Sequence, residues 1–434
     1  MASLPRRGAA LVLAGSCMFA AACAPDAPSP PQRVTLSFWT MPFWIGDPDK
    51  LQELVDDFNI SQSRATVSLT VLDWTTGRET IKKAIAAGHG PDIWLTGNGL
   101  EADDLAADRL APLDTLGYTR QDLDRFIPLA QADAEDGRMY AAPLYFDTEV
   151  LLYRTDLLRA YGFDRPPATW AELKSTAAAI TTRSTAAGHR VDGWQFKGMD
   201  DHLNAINATW ETFLCQAGGR LTTPDHRSST EDSAAARTAL AYLKSFYTDR
   251  ISRPGVSALN GFVDGDVAMF SFYQSVISDV MAGNEKTRGR WAVAPMPTGP
   301  AGGCSALGGH ALVARSHLPD PGIAGEFMRW LASPRNSAEF MRFHGIYPYD
   351  TARIDPETKV TVEAYYRADP SWAAIAQQLD RDSPDQLLQD RHAYTARWDA
   401  QKDAIPAAVL GRTSPDQALR EIDTRVDAAL HADG

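Results

Sequence analysis

The chain has 434 residues, 44% apolar and 22% charged, enough to bury a core in about two or three folding units. Acidic residues outnumber basic ones 55 to 42, for a formal charge of −13, and the longest basic block evident is Arg6-Arg7. A phosphate-neutralising nucleic-acid surface is therefore excluded, and so is general disorder, because apolar and aromatic residues run along the whole length.

The first predicted element is an export signal. Met1–Arg7 carries two arginines, and the uncharged stretch Gly8–Ala22 ends in Ala20-Ala21-Ala22-Cys23. A charged start, a short apolar run and small residues before a cut site describe such a signal; a membrane span needs about 20 apolar residues. Cys23 after small residues resembles a bacterial lipobox, whose thiol is lipidated. Cys17 competes, but only Cys23 is followed by a Pro-rich polar tether, Ala24 to Pro31. The reading is a signal peptide over 1–22, a tether over 23–32, and a mature chain held by lipid to the outer face of the cell membrane. A plain secretory signal with incidental cysteines is the alternative.

Beyond the tether, Val34, Leu36 and Phe38 alternate with Thr35, Ser37 and Trp39, the period of a strand with one face buried. Leu51, Leu54, Val55 and Phe58 then mark an amphipathic helix. Val67, Leu69 and Val71 form a second strand ending at Asp73-Trp74. Ile81, Ala84 and Ile85 predict a helix stopped by Gly88 and Gly90-Pro91, and Asp92–Leu95 a third strand. This βαβ series predicts a mainly parallel sheet, with ligand beyond the carboxyl ends of its strands. Those ends carry Trp39-Thr40, Asp73-Trp74 and Thr96-Gly97-Asn98. Indoles cover the apolar face of a pyranose while carboxylates and amides take its hydroxyls, so these residues suit a sugar. Trp44 and Trp210 join the group of tryptophans placed at strand ends or in loops. Trp330 completes a stripe with Ile323, Phe327 and Leu331 and is read as core.

Cys215 and Cys304 are the remaining cysteines. In an exported chain they pair if their Cα atoms come within about 7 Å, and otherwise stay as buried thiols. The nine histidines show no HExxH or Cys/His spacing, so neither a metal nor a cofactor is expected.

Several motifs then occur in order: Gly88–Ile93, Gly137–Asp147 with Leu151–Leu158, Pro166–Leu173, Gly265–Met269, Trp291–Pro297, Gly308-Gly309-His310, and Ala324–Leu331 followed by Gly345–Pro348. Together they resemble the extracellular solute-binding proteins of family 1, the carbohydrate receptors of ABC importers. The resemblance spans essentially all of 33–430. It implies an α/β, two-lobe periplasmic-binding-protein-like fold of type II with ligand in the cleft between lobes. Lobe one is expected over 33–144 plus 276–333, and lobe two over 145–275 plus 334–434. It also implies that Asp147 meets sugar hydroxyls, that Trp210, Tyr273 and Trp398 supply aromatic faces, and that Gly308 and Gly309 bring backbone close to the ligand. After Pro348, where many relatives carry a sugar-clamping Arg, this chain has Tyr349-Asp350.

The function implied is capture of a di- or oligosaccharide by lobe closure and delivery to ABC permease subunits with their ATPase, by a monomer. A secreted glycosidase is the rival from another class, with Asp73 and Asp147 as its carboxylates. Elbow, P-loop and dinucleotide motifs are absent. A receptor of the same fold for a non-sugar solute is the second rival.

Overall fold

The computed structural model describes residues 33–42, 49–74, 76–97, 109–127, 137–199, 206–274, 284–343, 345–350, 352–353, 356–382 and 393–432. The signal and tether with Cys17 and Cys23, together with Trp44 and Asn98, lie outside them.

The predicted N-terminal series forms as strand β1 (Val34–Thr40), helix α1 (Lys50–Ser61), β2 (Ala65–Val71), α2 (Gly77–Ala86) and β3 (Ile93–Gly97). The alternation of β1 sends Leu36 and Phe38 into the core, and the α1 stripe Leu51, Leu54, Val55 and Phe58 is wholly buried. Phe58 and Phe38 meet Phe327 edge-on, at 5.1 and 5.4 Å between ring centroids. Phe327 lies on α6 (Pro321–Leu331), whose Asp320 cap accepts from the Ile323 amide. Trp330 packs at 6.2 Å from Phe58 and donates to the Leu54 carbonyl, which places it on this core. A side chain at Gly325 would stand 1.8 Å from the Leu116 carbonyl oxygen, so only glycine lets α6 approach there. Asp92 ties three strands, accepting from the Ser37 amide and hydroxyl and pairing with Arg315.

β1 pairs in parallel with β2 and β3, but the sheet is mixed rather than mainly parallel. Its order is β2-β1-β3-β7-β4-β5, and β6 also pairs with β4. β4 (Ala142–Arg154), β5 (Met269–Tyr273), β6 (Trp291–Ala294) and β7 (Leu307–Ala314) all join antiparallel. These strands return from distant parts of the chain, so no local helical crossover forces a parallel direction.

β4 is the shared element. Ala142–Thr148 pairs with β7, and Glu149–Tyr153 pairs with β5. Leu151–Arg154 pairs with β6 on the other edge. Ala142, Leu144 and Phe146 enter the first core, and Leu151 faces a second. The second core is built on α3 (Trp170–Ala186), α4 (Ile206–Gln216), α5 (Ala234–Thr248), α8 (Tyr394–Val409) and α9 (Pro415–Ala432). α7 (Ser371–Arg381) packs beside β4 and β6.

Two segments pack against parts of the chain distant in sequence. Residues 291–306 touch both cores: the Trp170 amide donates to Thr298 and the Ala301 amide to Gln216, while Trp291 and Val293 pack against the first core. Ala338, Phe340, Met341, Ile346, Tyr347 and Tyr349 instead enter the first core.

Candidate functional site

The strand ends converge, though unequally. Trp39 is half-buried, and Thr40 is buried and donates to the Met41 carbonyl next to it. Asp73 is exposed and accepts from the Thr76 amide and hydroxyl, bracing the turn into α2. Trp74 is 39% exposed. Its indole N–H donates to the Pro42 carbonyl at 3.0 Å, and its ring lies 5.1 Å from that of His310.

His310 on β7 forms a floor with Tyr145 on β4, whose phenol oxygen lies 2.6 Å from Nδ1. Burial first, and then the Arg78 charge, pushes the His310 pKa down to about 3. The imidazole is therefore neutral, one ring nitrogen donating and the other accepting. Tyr145 is stacked in turn on Phe340.

Asp147 is buried and stands opposite Gly308 in the β4–β7 ladder. A Cβ at Gly308 would stand 2.8 Å from the Tyr273 ring. The space that the glycine leaves is thus taken by the Tyr273 ring, which lets β7 approach Tyr273 closely. Gly309 has φ +115°, a conformation that L side chains rarely adopt. Desolvation, and then the carboxylates of Glu211, Glu149 and Asp147, push the Tyr273 phenol well above its usual value and keep it a donor.

Glu149, two residues beyond Asp147 on β4, is fully buried and accepts from the hydroxyls of Ser271 and Thr212. On the opposite side of β4, Asp382 accepts from the Thr148 hydroxyl and the Ser305 amide, each at 2.9 Å. These two carboxylates bracket the point where β4 changes partners.

Trp210 is a correction. It has no exposed surface, and its indole N–H donates to Glu231 inside the second core. An indole within a helix stripe of the core cannot also be a platform. The Trp398 position stands differently: it is half-buried on α8, 5.9 Å from Tyr394 between centroids. The Arg78 guanidinium of α2 lies 4.8 Å from the Tyr394 ring and 5.3 Å from the Trp398 ring. Lys82, one turn further along α2, reaches the Thr395 hydroxyl. Tyr145 and His310 lie within the motifs Gly137–Asp147 and Gly308-Gly309-His310, whereas Arg78, Lys82 and Tyr394 belong to no motif, and only their nearness to the strand ends and to Trp398 could have signalled them.

Cys215 on α4 and Cys304 ahead of β7 are joined by a disulfide, with Cα atoms 6.2 Å apart. Gln216 also donates to the Cys304 carbonyl, and the two cysteines form a small cluster with Leu307 and Leu379. Among the described residues no three His, Cys, Asp or Glu side chains are grouped to hold a metal ion, and no helix is long and apolar enough to cross a membrane.

Two α/β halves sharing a crossing strand, with aromatic and polar groups gathered between them, define a two-lobe binding protein. Residues 53–365 match the family described as bacterial extracellular solute-binding protein, and the chain belongs to that family. A binding protein of Brucella abortus is 24% identical over 391 residues, covering 87% of this chain and 89% of that one. A solute-binding protein from Thermotoga lettingae bound with α-D-tagatose superposes with a TM-score of 0.76 at 22% identity, over 92% of this chain and 100% of that one. The GacH receptor of Streptomyces glaucescens, solved with acarbose, gives 0.77 at 21% identity, over 92% and 99%.

Proposed function

We propose that this chain captures a sugar between its lobes and delivers it to the transmembrane subunits of an ABC importer. The observation that carries this reading is the composition of the cleft. Trp74 offers a partly exposed ring, the Tyr394–Trp398 pair lies across from it with Arg78 between, and Asp147, Tyr145, His310 and Tyr273 supply acceptors and donors. A pyranose needs both kinds of contact. The structures with tagatose and acarbose bind their sugars on the same fold. Lobe one is read as 33–146 plus 307–349, and lobe two as 147–306 plus 393–432. Each lobe supplies half a site, so bound solute favours closure. The mature chain is a monomer held outside the membrane by lipid on Cys23, and it binds without chemical conversion.

Thermal-shift measurement against mono-, di- and trisaccharides, with sn-glycerol 3-phosphate as the phosphorylated-polyol arm, tests the reading. A stabilising sugar recovered unchanged by chromatography is the expected result. Product formation indicates a glycosidase; stabilisation by the phosphate alone indicates the non-sugar receptor. With the best sugar, Asp147→Ala and Trp74→Ala are expected to cost about 1–3 kcal/mol each by calorimetry. Full affinity in both variants would place the site elsewhere.

A further inference from the structure

The aromatic face at the start of α8 is met by a cation from the other lobe. α2 is anchored in the first core through Ile81, and α8 in the second through Ala400, Ala404 and Ile405. Between them Arg78 sets its guanidinium over both the Tyr394 and Trp398 rings and approaches the Tyr394 hydroxyl at 3.4 Å. Lys82 follows four residues later and meets Thr395, the neighbour of Tyr394. Two cations one helical turn apart therefore meet adjacent residues of a single helix end, which fixes the register of the contact.

The receiving side is braced from its own core. Asn207 on α4 donates to the Trp398 carbonyl and, at 2.6 Å, to Gln401. Gln401 donates to Glu231 at 2.8 Å. Arg397, buried behind Tyr394 at 5.7 Å from its ring, has its charge opposed by Glu231. The rings are thus held in place by lobe two, and only Arg78 and Lys82 have to travel. The same guanidinium also borders the floor: its Nη2 stands 3.9 Å from where a Cβ on Gly97 would lie, and its charge acts on His310.

We propose that Arg78 is the latch of lobe closure, docking its planar guanidinium on the Tyr394–Trp398 pair. It is also a specificity-determining residue, because it covers ring surface that a sugar would otherwise take. Solutes that fit beneath it, against the Tyr145–His310 floor, are the ones held with the lobes shut. This rests on the cleft being the solute site. Planarity matters as much as charge, since guanidinium stacks on rings more effectively than ammonium does.

Small-angle X-ray scattering on the full chain compares wild type with Arg78→Ala and Arg78→Lys, each with and without maltose. Circular dichroism and the melting temperature confirm that both variants fold, as expected for a side chain at the surface of its own lobe. A larger radius of gyration is expected for both variants. With whichever sugar the thermal-shift panel selects, affinity for Arg78→Ala is expected to fall about tenfold. Superimposable scattering curves for all three proteins in both conditions overturn the latch. If no sugar binds at all, the solute reading falls, while the scattering comparison without sugar still decides the latch.

Discussion

Raising the pH from 5 to 7 is expected to destabilise the folded chain by about 2 kcal/mol for each of two buried glutamates and about 1 kcal/mol for a buried aspartate. Burial pushes Glu149 and Glu231 up to about 7 from 4.5, and Asp382 up to about 6 from 3.8, against hydrogen bonds that pull the other way. The sign follows from proton counting. Between the unfolded and folded values the folded chain still holds protons that the unfolded chain has released. Stability is therefore greatest below the unfolded values and is lost as pH rises through the folded ones. Carboxylates shifted the other way, such as Glu172 held at about 2 by Arg165, titrate below this window and leave it undisturbed. Denaturant unfolding at pH 5, 6, 7 and 8 reads the effect. Glu149→Gln is expected to match wild type at pH 5 and to exceed it at pH 8. Stability that stays level or climbs between pH 5 and 7 contradicts the assignment.

Removing the Cys215–Cys304 bond is expected to cost about 4 kcal/mol. The bond closes a loop across a sequence separation of 89, and in the chain-entropy account a loop of that length strongly restricts the unfolded chain. It also clamps α4 to the segment that leads into β7. Neither cysteine is among the groups proposed to meet solute. The Cys215→Ser, Cys304→Ser double variant should therefore unfold at lower denaturant while keeping its affinity for the selected sugar. Loss of affinity in a variant that remains folded would show that the bond also shapes the cleft.

The N-terminal half of the first lobe was legible because its signals are local. A strand alternation at Leu36 and Phe38 and a helix stripe at Leu51, Leu54, Val55 and Phe58 need only their own neighbours to be read, and both are buried as those patterns require. Trp330 was legible as core for the same reason. Trp210 was not. Its helix is buried almost all round, so no polar face distinguished a core indole from a platform. Nor could the chain alone show the Tyr273 ring lying against Gly308. The mixed sheet was also hidden, since the partners of β3 and β4 arrive from more than 100 residues away.

What the sequence determined by itself was the family, the α/β class, the paired cysteines as candidates, and the strand ends where a ligand would be sought. These depend on periodicity, composition and ordered motifs, which are properties of neighbouring residues. Only the tertiary structure decided that Trp210 is core, that Cys215 joins Cys304, and that Arg78 meets Tyr394 and Trp398. Such facts depend on distances between residues up to 320 positions apart. Packing sets those distances, and no local pattern along a chain encodes them.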